Sequence, residues 1–453
     1  MGHEIPGTPT PFAAPTAGSV VVYRGATLID GTGGPARQAT TIVTDGTMIR
    51  AVVPDAEITD EIADAAAPVV DLAGRFVIPG LIDSHQHIAT PPDRATAEAA
   101  LRRQVYGGVT AIRDMADDLR QVAELARAAL VGEIPGPDIR YAALMAGPSF
   151  FDDPRTHEAA QGATPGAVPW MQAITDETDL PLAVAMARGT GAHAVKIYAD
   201  LPAGTVAALT AEAHRQGLAA WAHGTVYPAS PGEVVAAGVD SVSHATALAQ
   251  EGTKQPLTTY KDKPPIEYDR FTDGEDPHLQ ALFERMLRQG TILDATAGLW
   301  THYFAPEETD ADSLALARAN SRLAATITAH AYRAGVPISA GTDYETDPDR
   351  PFPALHDEMA FLARECGIPA AQVIRSATLV GAMSMGAQDV MGTVAADKLA
   401  NFAVLSANPL DDMTHLGSIE FVVKRGHRYD RSDYHQPPDA DQGTGTPKGH
   451  DGR

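Results

Sequence analysis

His85-Gln86-His87 is the first place along this chain where side chains able to hold a metal ion come close together. In an extended strand residues i and i+2 point to the same side, so both imidazoles can face one ion. Sixteen histidines among 453 residues make about half of one His-x-His expected by chance, so a pair of solvated histidines would read the same way. Lys196 poses a different question, because it sits inside the apolar run His-Ala-Val-Lys-Ile-Tyr-Ala at 193–199. An unpaired ammonium there costs on the order of several kcal/mol and tends to lose its proton. A neutral lysine attacks carbon dioxide, and the carbamate formed is an anionic oxygen ligand able to bridge two cations; alternatively the side chain snorkels past the strand end. His223, His244 and Asp343 close three further apolar runs, LAAWAHG, DSVSHA and PISAGTDY. Taken singly, each reads as an ordinary polar residue at a loop edge. Together, the order His-x-His, Lys, His, His, Asp at five strand ends calls for a scaffold that brings those ends to one point.

The surrounding pattern supplies such a scaffold. From residue 19 to about 77, β-branched runs broken by Gly or Asp-Gly turns predict short antiparallel strands. Beyond residue 79, apolar strands alternate with Ala- and Glu-rich helical stretches. Strands are expected at 76–88, 108–115, 139–147, 193–199, 218–224, 240–245, 291–298 and 337–344. Eight such units match a (β/α)8 TIM barrel of about 250 residues, whose strand C-termini converge on one mouth. After residue 391 the short-strand texture returns. Residues 19–78 and 390–430 are therefore expected to form one composite β-sandwich domain, interrupted by a barrel at 79–389. Residues 1–18 read as a flexible leader and 431–453 as a disordered tail. Two long connections, 150–177 and 250–277, are candidate lids over the barrel mouth.

Composition narrows the classes of function. Lys and Arg total 34 against 58 Asp and Glu, a formal charge of −24 that would repel a phosphate backbone, so no nucleic-acid partner is expected. No apolar run reaches the length of a membrane helix, so no membrane partner is expected either. The single cysteine, Cys366, cannot form an internal disulfide, and the N-terminal stretch lacks a basic region and an apolar signal run. A cytoplasmic location is the expectation.

DLAGRFVIPGLIDSHQHI, GVDSVSHA, ISAGTD, LHDEMAFLARECGIPAAQVIRSAT and GTVAADKLANFAVLSANPLDD resemble successive landmarks of the amidohydrolase superfamily over roughly residues 19–430. The texture is most similar to the branch holding imidazolonepropionase-like, Xaa-Pro dipeptidase-like and phenylurea hydrolase-like proteins. The resemblance implies that His85 and His87 hold a first metal with Asp343, that His223 and His244 hold a second, and that carboxylated Lys196 bridges them. Zinc is the expected ion, with cobalt, manganese and iron compatible. Two cations would bring a water near neutrality to supply hydroxide for attack on a carbonyl, with Asp343 as the catalytic proton shuttle. The expected activity is hydrolysis of a C–N bond in an amide, carbamate, urea or cyclic amide. A one-metal deaminase or cyclic-amide hydrolase is the nearest alternative, and a catalytically silent barrel serving as an assembly subunit is the alternative of another class. The resemblance also implies a homo-oligomer.

This sequence departs from the peptidase-like members directly after the lysine, where it reads Lys196-Ile197-Tyr198-Ala199-Asp200 instead of a small-residue stretch. Aromatic residues near predicted strand ends, namely Phe150, Phe151, Trp170, Tyr198, Tyr227, Trp300, Tyr303, Phe304 and Tyr344, favour a small-molecule substrate with a hydrophobic or aromatic group. Helix packing would account for several of them equally well. Arg155, His157 and His302 are candidates for binding a carboxylate or closing over the site, with plain solvation as the competing reading.

Overall fold

A computed structural model describes residues 18–90, 92–272, 276–302, 310–345 and 349–435. Each of the eight expected barrel strands is present and carries almost wholly buried side chains: Leu81–Gln86, Val109–Asp114, Asp138–Ala146, Ala194–Ile197, Ala219–His223, Ser241–Ser243, Ile292–Asp294 and Ile338–Ser339. Neighbours in this order pair in parallel throughout. Between the eighth and first strands, the Ser84 amide donates to Ala340 O (2.9 Å) and the Asp343 amide to His85 O (2.9 Å). Burial on both faces explains why these strands read as continuous Ala, Val, Ile and Leu runs without alternation.

The helices between them are set by their ends. Asp118 caps Leu119–Leu130, and Ser230 with Glu233 forms a reciprocal box at the start of Pro231–Ala236. Ala311–Ala334 is opened by Asp310 and closed by Gly335 in the left-handed region (φ 93°), which glycine enters without a Cβ penalty.

Both chain ends build a second, eight-stranded sheet, in which Phe402–Leu405 pairs antiparallel with Phe76–Pro79. The expected first barrel strand at 76–88 is thus two strands. Phe76–Pro79 belongs to the outer sheet, and the barrel begins at Leu81 after Gly80. Tyr23, Phe402 and Phe421 form the aromatic centre of this sheet's core. Lys424 and Arg425 join it to the barrel through Asp138, at 2.9 Å each.

The tail differs from expectation where it begins. Residues 431–435 belong to the folded body, with the Arg431 guanidinium over the Phe352 ring and Tyr434 packed on Tyr106. An arginine and a tyrosine beside two aromatic partners bury enough carbon to anchor a segment that is polar by composition. Residues 436–453, and all of the leader except residue 18, lie outside the described residues. Among the described residues, no helix is long and apolar enough to cross a membrane.

Candidate active site

The barrel mouth is built from strained backbone. Ala116, Asp200, Tyr227, His244, Thr296 and Asp343 all have positive φ between 42° and 91°, and each follows the end of a barrel strand. Non-glycine residues there cost about 1–3 kcal/mol each, a cost that clusters at functional sites. His244 and Asp343 are two of the residues singled out from the sequence.

Asp343 is the hub. Its Oδ1 lies 3.4 Å from His85 Nε2 and 3.4 Å from His87 Nε2, and its Oδ2 lies 3.7 Å from His244 Nδ1. The rings of His85 and His244 are 4.9 Å apart, and those of His244 and His223 are 4.8 Å apart. Lys196 is fully buried beneath them, whereas 38% of the His87 side chain is exposed. The structure therefore brings all six of the residues expected to bind metal to one end of the barrel.

Each imidazole is oriented through its Nδ1. His85 Nδ1 donates to Asp294 Oδ2 (2.7 Å), His87 Nδ1 to Asp117 Oδ1 (2.9 Å) and His223 Nδ1 to Thr225 O (2.9 Å); His244 Nδ1 pairs with Thr296 Oγ1 (2.9 Å). A carboxylate or carbonyl only accepts, so the proton sits on Nδ1 of His85, His87 and His223, and in the neutral rings of His85 and His223 Nε2 keeps its lone pair. Burial also keeps His85, His223 and His244 below their usual pKa and therefore neutral at pH 7. At His87 burial opposes charging, but Asp117 and Asp343 outweigh it and hold the imidazolium well above the usual range. Burial pushes Asp343 upward, and the three imidazoles more than reverse this, so it stays ionised. Burial brings Lys196 down to about 7, where a neutral amine is accessible. Oriented imidazoles, a carboxylate and a deprotonatable amine form a donor set that suits divalent cations. His85, His244 and Asp343 have donor atoms within 4.8 Å of one another.

Asp294 and Asp117 escaped the sequence reading, although Asp294 lay inside the expected seventh strand. The signal was a buried acidic residue in TILDATAG, which must find partners or remain uncharged. Asp294 also explains Gly341 of the Gly-Thr-Asp run: a Cβ at that position would collide with Asp294 Oδ1 and crowd the His85 backbone. Glu358 accepts the amides of Ala297 (2.9 Å) and Gly298 (2.6 Å), and so pins the turn that carries Thr296.

Burial raises the Glu358 pKa from 4.5 to about 8, against the two amide bonds that lower it. Folding raises this pKa, so the group supports the fold fully below about 4.5 and that support fades as pH climbs through 8. Glu358→Gln is expected to remove this component. Urea unfolding from pH 5 to 9 should show a shallower decline for the variant than for the native chain, and identical slopes would exclude the effect.

Of the residues expected to line a substrate pocket, Tyr198 stands beside the cluster, its ring 5.2 Å from that of His223. Tyr260, from the long 250–277 connection, joins it with hydroxyls 3.4 Å apart and its ring 5.9 Å from His223. Phe150 packs on both tyrosines, at 4.6 Å and 5.7 Å, and Tyr227 reaches Tyr260 at 6.3 Å. Asp200 Oδ1 accepts the Tyr260 amide (2.7 Å), so the divergent stretch after Lys196 supplies both a ring and an anchor for this wall. Burial resists ionisation of Tyr260, yet Lys263, 3.7 Å from its ring centre, and Arg155 outweigh it and lower the phenol's pKa. Arg155 Nη2 lies 3.5 Å from Tyr260 Oη.

The remaining residues are placed differently. Trp170 stacks on Arg120, Phe151 packs on Phe150, His157 is exposed on Pro154–Ala160, and His302 stacks on Tyr344 at 4.5 Å. Trp300 lies in the short helix Leu299–His302, and Tyr303 and Phe304 lie outside the described residues.

The C-terminal ends of this parallel eight-stranded barrel bring together four imidazoles, a lysine and an aspartate, residue types able to hold divalent cations. Residues 76–428 match the model of the amidohydrolase family, and the chain belongs to that family. Ochratoxinase from A. niger is a solved structure with a similar fold, at TM-score 0.72 and 20% identity over 91% of this chain and 96% of that one. Molinate hydrolase is similar at TM-score 0.70 and 20% identity over 93% and 97%. A Xaa-Pro dipeptidase with bound methionine is similar at TM-score 0.68 and 21% identity over 91% and 100%. A curated dihydroorotase from Pelotomaculum thermopropionicum is 30% identical over 97 residues, 21% of this chain and 21% of its own length.

Proposed function

We propose that this protein is a metal-dependent hydrolase of a C–N bond in an amide, carbamate, urea or cyclic amide bearing a hydrophobic or aromatic group. The observation that carries the reading is the convergence of His85, His87 and His244 on Asp343, with the Nδ1 atoms of His85 and His87 engaged away from it by Asp294 and Asp117. His85, His87, His223, His244 and Asp343 would hold two divalent ions, most simply zinc, with Lys196 as its carbamate between them. Bound cations of this kind polarise a carbonyl and bring the pKa of a water toward neutrality. Asp343 then accepts a proton and hands it to the leaving nitrogen, while Tyr198, Tyr260 and Phe150 exclude water and seat the apolar part of the substrate.

A second reading has its own support, because His85, His244 and Asp343 alone form a compact three-ligand group. One ion there would suit cyclic-amide hydrolysis or deamination. Elemental analysis of protein purified without chelator, followed by assays on panels of amides, carbamates and ureas, separates the two. Two metals per chain with hydrolysis of these substrates supports the first reading, one metal with ring opening of a cyclic amide or ammonia release from an amino-heterocycle the second, and absence of metal sinks both.

Tyr260→Ala is expected to raise KM about tenfold for substrates with an aromatic group, about 1.4 kcal/mol, and to change KM little for small aliphatic ones. Trp170→Ala should lower stability and leave KM unchanged, because its ring packs on Arg120. Equal KM changes across both substrate types would remove Tyr260 from the pocket.

A further inference from the structure

Below the six residues of the mouth lies a fully buried group that the reaction scheme above leaves without a role: Arg113, Ser243 and Asp294. Asp294 Oδ2 takes three contacts at once, from His85 Nδ1 (2.7 Å), Ser243 Oγ (2.9 Å) and Arg113 Nη2 (3.2 Å). Ser243 Oγ also lies 3.1 Å from Lys196 Nζ. These contacts fix the direction of the serine hydroxyl. Ser243 Oγ donates to Asp294 Oδ2 and accepts from Lys196 Nζ, so its proton points to Asp294 and its lone pair faces Lys196.

That polarity matters for what Lys196 becomes. As the neutral amine, Nζ adds its lone pair to the carbon of carbon dioxide. The N–C bond forms, one C–O π bond breaks onto oxygen, and one Nζ proton passes to water. The product keeps a single N–H on a planar nitrogen whose lone pair is delocalised, so this N–H can only donate and, when buried, needs an acceptor. Ser243 Oγ is placed to be that acceptor. We infer that Ser243, polarised by Asp294, is a positioning residue that fixes the Lys196 carbamate through its remaining N–H, and that Asp294 ties this carbamate to the orientation of His85. The inference rests on the carboxylated-lysine reading given above. Arg113 Nη2 contacts Asp294 Oδ2 at 3.2 Å, and the guanidinium is itself held by Nε to Ser84 O (2.7 Å), by Nη1 to Ser241 Oγ (2.9 Å) and by the face of Trp221 (4.6 Å).

The test compares the native chain with Ser243→Ala and Ser243→Cys, each dialysed against zinc and a series of 13C-labelled bicarbonate concentrations. Carbamate carbon is read by 13C NMR and zinc per chain by elemental analysis. Ser243→Ala should need about tenfold more bicarbonate for the same carbamate and zinc content, and high bicarbonate should restore both. Ser243→Cys, with a weaker acceptor in the same shape, should fall between. Identical bicarbonate dependence in all three chains overturns the role of Ser243 and leaves the carbamate standing. A loss that bicarbonate cannot restore, equal in both variants, assigns Ser243 to packing alone and also overturns it. No carbamate signal in the native chain at any concentration overturns the carboxylated-lysine reading and this inference with it.

Discussion

Asp343→Asn is expected to lower kcat/KM by about 10^2- to 10^4-fold, the usual contribution of a positioned proton-transfer group. The exchange is a clean one. Asparagine has the same shape, tolerates the left-handed backbone (φ 61°) that Asp343 occupies, and retains one oxygen toward the imidazoles. What it loses is the capacity to take up a proton between two histidine Nε2 atoms that lie 3.4 Å from Oδ1. Metal content and thermal midpoint should be measured on the same sample. A large fall in turnover with metal retained assigns proton transfer to Asp343, a parallel fall in both assigns it to holding the ion, and full activity overturns both roles.

The sequence carried this site unevenly, for a physical reason. Ligands at strand ends were legible because a parallel barrel imposes one geometry. Apolar runs end in a polar residue, and every such end faces the same mouth. His85, His87, His223, His244 and Asp343 follow that rule, and Lys196 lies one residue inside the end of its strand. Their partners do not. Asp117 lies in the turn after the second strand, Thr296 two residues past the seventh, and Asp294 209 positions from His85, so only three-dimensional proximity pairs each of them with its histidine. Tyr260 was hidden more deeply, since it sits in a segment without periodicity and is held by the amide bond to Asp200. The departure after Lys196 was its one trace, because Tyr198 and Asp200 are both residues that Tyr260 meets. Trp170 shows the converse: an aromatic residue near a strand end that packs on a helix terminus instead of the mouth.

The largest expected effect on stability falls on the buried Arg113 and Asp294 pair. Neither side chain is exposed, and Asp294 stays ionised because His85 and Arg113 outweigh the burial that would otherwise raise its pKa. Removing one member of such a pair strands the other charge in a medium that cannot solvate it, at about 3–5 kcal/mol. Asp294→Ala should therefore be destabilised by that amount, and its His85 should lose the acceptor that fixes its tautomer. Arg113→Met leaves Asp294 with His85 and Ser243 and should cost a similar amount, partly through the unpaired Ser84 and Ser384 carbonyls. The double variant removes both charges together, so its loss should be smaller than the sum of the single losses by at least about 1 kcal/mol. Urea unfolding of the four chains with unchanged m-values measures this coupling. Additive losses would mean that the two charges are solvated independently and that Asp294 is held by His85 and Ser243 alone.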